Sequence, residues 1–396
     1  MAIKYSDRME GIKASEIREL LKLTVRPEVI SFAGGLPAPE VFPVEEMKKV
    51  SLKVLEESGQ QALQYSPTEG FPPLREKIAK RMEQVGVFTA PDNILITNGS
   101  QQGLDFSGKI FLNPDDIVIV ESPSYLGAIN AFKAYQCKFL EIPTDDDGMI
   151  IEELEKALKA NENIKMIYVI PDFQNPSGRT WSLDRRKRLI EIANKYDLPV
   201  VEDNPYGELR FEGKRLPSIK SLDTEGRVIF LGTFSKTFCP GLRIGWVCAS
   251  DEVLNKYILV KQGADLQSNS MSQRELDAFL EVYDLDEHIE KIKKLYKGRR
   301  DLMLKTMKEH FPEEVKYTHP EGGLFTWAVL PEHINTRELM QKALKRNVAF
   351  VPGGSFFPNG GNENTMRINY SNMPEERIVE GIIILGEVIK EALSIK

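Results

Sequence analysis

The sequence predicts an α/β fold: a mostly parallel sheet with helices on both faces, joined to a smaller α+β domain. Three observations carry that expectation. From Asn93 onward short apolar runs alternate with helical patterns, the signature of βαβ units. Five of those runs end in polar clusters rich in Gly, Pro, Asn or Ser, which puts the clusters at the carboxyl edge of the strands, where open α/β sheets bind ligands. Finally, 396 residues are more than one hydrophobic core ordinarily serves, so two domains are expected.

The elements follow in chain order. Ser6 to Leu23 has helical apolar spacing (Met9, Ile12, Ile17, Leu20, Leu21) and stops before Pro27, with Arg18 and Glu19 between its apolar positions. SFAGGLPAPEVFP (31–43) is an irregular linker, and its paired glycines let backbone approach a ligand closely. A helix is expected from Val44 to Glu57, then the polar turn QYSPTEG (64–70) with Tyr65, then a helix opened by Pro72 and Pro73. Strands are expected at Ile94–Thr97, Ile117–Val120, Met166–Ile170, Pro199–Val201 and Val228–Leu231. Beyond Ser250 the pattern is helical to about His310, with a long charged stretch, 286–308, suited to bridging domains. The last part mixes strands (324–329, 348–351, 366–369) with helices (337–345, 375–393).

Composition narrows the function. Hydrophobic residues make up 41% and charged residues 28%, an ordinary globular balance. The formal charge of −7 comes without a basic block, which disfavours a nucleic-acid or anionic-membrane partner. No apolar run reaches transmembrane length and the N-terminus has no signal-peptide core. The three cysteines cannot form a disulfide framework and fit a reducing cytoplasm, the expected location. Four histidines, none at metal-ligand spacing, argue against a zinc site or a histidine-based triad.

The chemistry centres on TFSKTFCPGLRIGW (233–246), which follows the apolar run VIFL. Lys236 there could be partly desolvated and therefore nucleophilic. Thr233, Ser235 and Arg243 could hold a phosphate, the arginine supplying its planar fork. An amine beside a phosphate cradle suggests a Schiff base to pyridoxal phosphate; a surface lysine on a loop is the plainer reading, and the stretch alone does not separate them. Asp203 could pair with a pyridine nitrogen or merely cap a turn. Asn175 and Tyr206 could hold a phenolic oxygen, although Asn175 precedes a proline and suits an ordinary turn. Ser100 and Gln101 would offer helix N-terminal amides to a phosphate or simply begin a helix. Tyr125 could stack on a ring or pack in a core.

Taken jointly, NGSQQ (98–102), SPSYLGA (122–128), PDFQNPSG (171–178), VEDNPYGEL (201–209) and TFSKTFCPGLRIGW (233–246) resemble the class I/II aminotransferases of fold type I. More narrowly, ASEIRELLKLT (14–24), SFAGGLPAPEVFP (31–43), QYSPTEG (64–70), VPGGSFFPNGG (351–361) and MRINYS (366–371) are similar to the 2-aminoadipate/kynurenine aminotransferase branch. The resemblance implies pyridoxal phosphate as cofactor, Lys236 as its Schiff-base lysine and Asp203 as the pyridinium partner. It implies Asn175 and Tyr206 at the phenolic oxygen, Tyr125 on the ring, and Ser100, Gln101, Thr233, Ser235 and Arg243 on the phosphate. Tyr65 would reach that phosphate from the second subunit of a homodimer. Arg367 and Asn175 would bind the substrate α-carboxylate, Gly35 would line the pocket, and Arg18, on an N-terminal helix, would meet a side-chain carboxylate. Thr233 stands where a serine is usual, and NPSG stands for NPTG; both keep a hydroxyl. The implied organisation is an N-terminal arm (1–43), a cofactor domain (44–294) and a small domain (295–396). The implied reaction moves an amino group from an α-amino acid to a 2-oxo acid such as 2-oxoglutarate. The alternatives on the same fold are a β-lyase or decarboxylase. A cofactor-binding sensor module is a further alternative, disfavoured because the resemblance begins near residue 14.

Overall fold

The structure, a computed structural model, describes residues 3–12 and 26–394. Its centre is an eight-stranded sheet ordered β2-β9-β8-β7-β6-β3-β4-β5. The strands are β2 (Ile94–Thr97), β3 (Ile117–Ser122), β4 (Lys138–Asp145), β5 (Gly148–Met149), β6 (Ile164–Val169), β7 (Val200–Asp203), β8 (Val228–Thr233) and β9 (Gly245–Cys248). β4, β3, β6, β7 and β8 run parallel, whereas β9 is antiparallel to both β8 and β2. Every residue of β2, β7, β8 and β9 is buried. That is why β2 (ILIT) and β8 (VIFLGT) read as nearly continuous apolar runs and not as an alternation: helices cover both faces.

The helices sit where the periodicity puts them. Val44–Ala62 and Pro72–Met82 precede the sheet, and Pro72 and Pro73 occupy a first turn where a missing N–H costs nothing. Ser100–Phe111 follows β2, and Leu183–Tyr196 is capped by Ser182, whose side chain accepts from the Arg185 N–H. Three strands of this sheet went unanticipated, β4, β9 and the two-residue β5. β4 (KFLEIPTD) is largely half-exposed and contains a proline, which blurs the alternation. β9 lies inside the lysine-bearing stretch and is only four residues long.

The remaining strands are β1 (Ile30–Ser31), β10 (Lys316–Tyr317), β11 (Phe325–Val329), β12 (Val348–Ala349), β13 (Val351–Pro352) and β14 (Thr365–Asn369). β10, β11, β14 and β13 make an antiparallel sheet. The run expected as one strand over 348–351 is divided: β12 pairs in parallel with β1, and β13 pairs with β14. Leu285–His310 is one continuous helix, and the boundary expected at 294–295 falls inside it. Near one end its His288 packs edge-on against Phe238, in the loop that follows β8. Farther along, Arg299 donates to Glu375, at the start of the C-terminal helix Glu375–Ser394. The helix expected over Ser6–Leu23 is described only as Arg8–Gly11; Arg18 lies outside the described residues. Among the described residues no helix is long and apolar enough to cross a membrane.

Candidate active site

β8 ends at Thr233 and the chain turns at once into Ser235 and Lys236. The Lys236 Nζ donates to the Gly35 carbonyl at 2.9 Å. Its ammonium form is disfavoured by burial first, then by Arg367 and Arg243, with Asp203 opposing, so its pKa is brought down to about 8. β9 carries the chain back along β8 in register Thr233↔Gly245. That return sets Arg243 beside Ser235, with Nη1 donating to the Ser235 hydroxyl at 3.4 Å and Nη2 to the Asn98 carbonyl at 3.1 Å. The Thr233 hydroxyl donates to Ser235 Oγ at 2.9 Å and accepts from the Ser235 N–H at 3.1 Å.

Opposite this turn the helix Ser100–Phe111 begins at Gly99, without a side-chain cap, so first-turn amides remain open to an anion. Backbone crowding explains the glycines. A Cβ on Gly99, whose φ is +75°, would stand 2.5 Å from Arg243 Nη2, and one on Gly245 would stand 2.7 Å from the Ser100 N. The Tyr125 hydroxyl donates to Gln101 Oε1 at 3.3 Å, and Gln101 Nε2 donates to the Gly127 carbonyl at 2.9 Å. Thr233, Ser235, Arg243, Ser100 and Gln101 thus converge on one cradle.

Asp203 ends β7, next to β8 in register Asp203↔Leu231. Tyr168 donates its hydroxyl to Asp203 Oδ2 at 3.0 Å, while Oδ1 is buried with no hydrogen-bond partner. Burial raises this carboxyl to about 7, against the Tyr168 hydrogen bond and Lys236. A second chain of contacts runs across the site. Arg367, on β14, donates from Nη1 to Asn175 Oδ1 at 2.9 Å and from Nη2 to the Ala33 carbonyl at 2.6 Å. The Asn175 amide donates to the Tyr206 hydroxyl at 3.4 Å. The Arg367 guanidinium lies 4.3 Å from the Phe325 ring centre and 5.2 Å from that of Phe356. Burial brings it down to about 10, so it remains a cation at neutral pH. Its Nε is buried without a partner.

The structure therefore gathers Lys236, Asp203, Asn175, Tyr206, Arg367 and Gly35 on one side and the cradle residues on the other. Tyr65 stands apart, 79% exposed. Tyr168 was missed; its signal was a tyrosine in an otherwise aliphatic strand (IKMIYV), in register with Val201 of the strand that ends at Asp203. The Ala33 and Gly35 carbonyls were also missed as acceptors, because a backbone oxygen leaves no trace in residue type. A separate cavity of about 790 Å³, lined by Arg179, Arg210 and Lys316 among others, does not include Lys236. Its arginines are already paired, Arg179 with Asp146 and Arg210 with Glu321. Among the described residues no cluster of three or more His, Cys, Asp or Glu could hold a metal ion.

Residues 28–383 match the family described as Aminotransferase class I and II. The chain belongs to that family. Among its relatives is an aromatic-amino-acid aminotransferase of Thermococcus litoralis, 50% identical over 98% of this chain and 95% of the relative. A solved kynurenine aminotransferase of Pyrococcus horikoshii is 45% identical, with a TM-score of 0.94 over 99% of this chain and 98% of that one. An α-aminoadipate aminotransferase of Thermus thermophilus, solved with N-(5′-phosphopyridoxyl)-L-leucine, is 43% identical with a TM-score of 0.93 over 99% and 98% of the two chains. This aminotransferase has the fold of type I, and its cofactor is pyridoxal phosphate. The site fits that group: the unpartnered Asp203 oxygen suits a cationic ring N–H, the glycine-lined cradle with Arg243 suits a phosphate, and Lys236, next in the chain to Ser235 of that cradle, supplies a desolvated amine.

Proposed function

We propose that this aminotransferase accepts acidic amino acids, 2-aminoadipate and glutamate, together with aromatic and other apolar ones, and passes the amino group to a 2-oxo acid such as 2-oxoglutarate. It works as a cytoplasmic homodimer, with residues 44–294 forming the cofactor domain, 295–396 the small domain and 1–43 an arm over the site. The observation that carries this reading is Arg367, a buried cation held by Asn175 and the Ala33 carbonyl with Nε unpaired. It supplies the fork for an α-carboxylate and leaves a side-chain carboxylate to a different cation. Relatives named for aromatic amino acids, kynurenine and α-aminoadipate support a site that takes both kinds of side chain.

When bound, pyridoxal phosphate supplies a carbonyl for amines and a ring that withdraws electrons from the substrate Cα. The chain's own residues do the rest. Lys236, depressed to about 8, is neutral often enough at physiological pH to hold the cofactor. Once displaced by a substrate amine, it takes the proton from substrate Cα. Asp203 would keep the ring nitrogen protonated, and Asn175 and Tyr206 would hold the phenolic oxygen. Tyr125 would cover the ring. Ser100, Gln101, Thr233, Ser235 and Arg243 would hold the phosphate, joined by the partner subunit's Tyr65, which suits the exposure of that side chain here. Gly35 keeps the substrate face narrow: a Cβ there would come 3.1 Å from the Phe325 ring.

Arg18 is the cation assigned to the distal carboxylate, on sequence grounds alone. The helix that the sequence predicts around it precedes a Gly/Pro-rich linker, a placement suited to a lid. The test compares kcat/KM for 2-aminoadipate and leucine in wild type and Arg18→Ala. Loss of a charge-assisted contact should cut 2-aminoadipate turnover by about tenfold or more and leave leucine within about twofold. An equal loss for both substrates removes the acidic-substrate assignment.

A further inference from the structure

Behind the phosphate cradle lies a charged cluster with no part in the reaction as described. Lys261, on the helix Asp251–Ala264, is fully buried. Its Nζ donates to both Asp265 oxygens at 2.9 Å, to Ser268 Oγ at 3.0 Å and to Gln102 Oε1 at 3.2 Å. Four acceptors around three N–H donors leave no capacity unused. Asp265 Oδ2 in turn accepts from the Asn98 side-chain amide at 2.6 Å and from Gln102 Nε2 at 2.8 Å. Gln102 Oε1 accepts from the Asn98 backbone N–H at 2.9 Å. Asn98 is therefore held by backbone and side chain at once. Its carbonyl is the group that accepts from Arg243 Nη2, and it leads directly into Gly99 and Ser100.

We infer that the Lys261–Asp265 pair, its lysine buried and its aspartate 23% exposed, acting through Gln102, is a positioning device that fixes the Asn98 turn, and with it Arg243 and the Ser100 amide, for the cofactor phosphate. An ion pair with one buried member is a poor source of net stability, but its removal from one side frees every group it oriented. The inference rests on the reading above that this cradle binds the phosphate. Lys261 touches neither cofactor nor substrate, so its effect should appear in cofactor affinity and in the environment of the bound phosphate, more than in turnover.

The experiment is a spectrophotometric titration of apoenzyme with pyridoxal phosphate. The chains are wild type, Lys261→Met, Lys261→Arg, Asp265→Asn and, as a control on the cradle itself, Arg243→Ala. Each chain's melting temperature and the ³¹P chemical shift of its bound phosphate are also recorded. Lys261→Met and Asp265→Asn should raise the cofactor Kd by about tenfold or more, the size expected for loss of charge-assisted orientation. They should also move the ³¹P shift, and Lys261→Arg should recover part of the affinity. Excess cofactor should restore most of the turnover lost. A lowered melting temperature with unchanged Kd and ³¹P shift would make the pair merely structural and overturn the inference. If Arg243→Ala binds cofactor as wild type does, the cradle reading falls as well; if only that control weakens binding, the coupling alone is refuted. Should Lys261→Met fail to fold, Asp265→Asn, which keeps an uncharged acceptor of the same shape, decides the question.

Discussion

Lys236 meets more positive than negative charge, Arg367 and Arg243 against Asp203, in a site already hostile to an ammonium ion. The sign of its pH dependence follows. An ordinary lysine changes charge near 10.5, whereas this one does so near about 8; between those values the folded chain has shed a proton that the unfolded chain still carries. Folding stability therefore gains from this group as pH rises from about 8 to 10.5. The reactive neutral amine is roughly a tenth of the population at pH 7. Covalent uptake of pyridoxal phosphate by apoenzyme should accelerate with pH and level off above about 8, and a midpoint near 10.5 would show the amine to be solvated. Lys236→Ala should still bind cofactor through cradle and ring contacts but lose turnover. Borohydride reduction of the wild type should place the adduct on Lys236 in a peptide map, and an adduct on another lysine would displace the assignment. Residue type singled out Lys236 and Asp203 beforehand, whereas Arg367 was singled out only through the family resemblance. Tyr168 was not singled out at all, because a tyrosine in a buried strand usually only packs.

The active geometry is made by element ends more than by elements. β8 delivers Lys236, and the reversed strand β9 brings Arg243 back to the helix that starts at Ser100. The close approach of these ends depends on Gly99. Its φ of +75° and ψ of 167° lie in a region nearly confined to glycine, and any Cβ there would meet Arg243. Gly99→Ala should cost about 1–3 kcal/mol of stability and weaken cofactor binding, read as a lower melting temperature and a raised Kd. A variant that melts lower yet binds cofactor normally would separate the turn from the phosphate site. The reversal of β9 was not legible: GWVC is too short to show a period, and only pairing between two strands already in the sheet gives it a direction.

At the scale of the molecule the site, as proposed, is incomplete in one chain. Tyr65 is 79% exposed on a turn tied to β2, where the Ile96 N–H donates to the Glu69 carbonyl. Leu55, Leu63 and Leu266 are likewise exposed. If Tyr65 serves the neighbouring subunit, mixing two defective chains should rebuild one good site. A hybrid of Lys236→Ala with Tyr65→Ala carries one site with both mutations and one with neither. Refolding the two chains together should restore tight cofactor binding and activity to about a quarter of wild type, since half the dimers are hybrids with one intact site each. Activity no greater than that of the separate variants would mean that Tyr65 serves its own chain.

The sequence by itself determined the fold class and the roster of reactive groups. A buried parallel strand must be apolar throughout and a ligand-bearing loop must be polar, so strand ends and site residues alternate visibly from NGSQQ to TFSK. Only the tertiary structure decided which of these groups meet. The Lys236–Gly35 and Arg367–Ala33 contacts join residues some two to three hundred positions apart through backbone carbonyls, and every residue has such a carbonyl. The direction of β9, the division of 348–351 between two sheets and the Lys261–Asp265 anchor likewise depend on which surfaces become neighbours when the core closes. Hydrogen bonds and ion pairs act over a few ångströms, and no local pattern in the chain specifies a distance of that kind between segments so far apart.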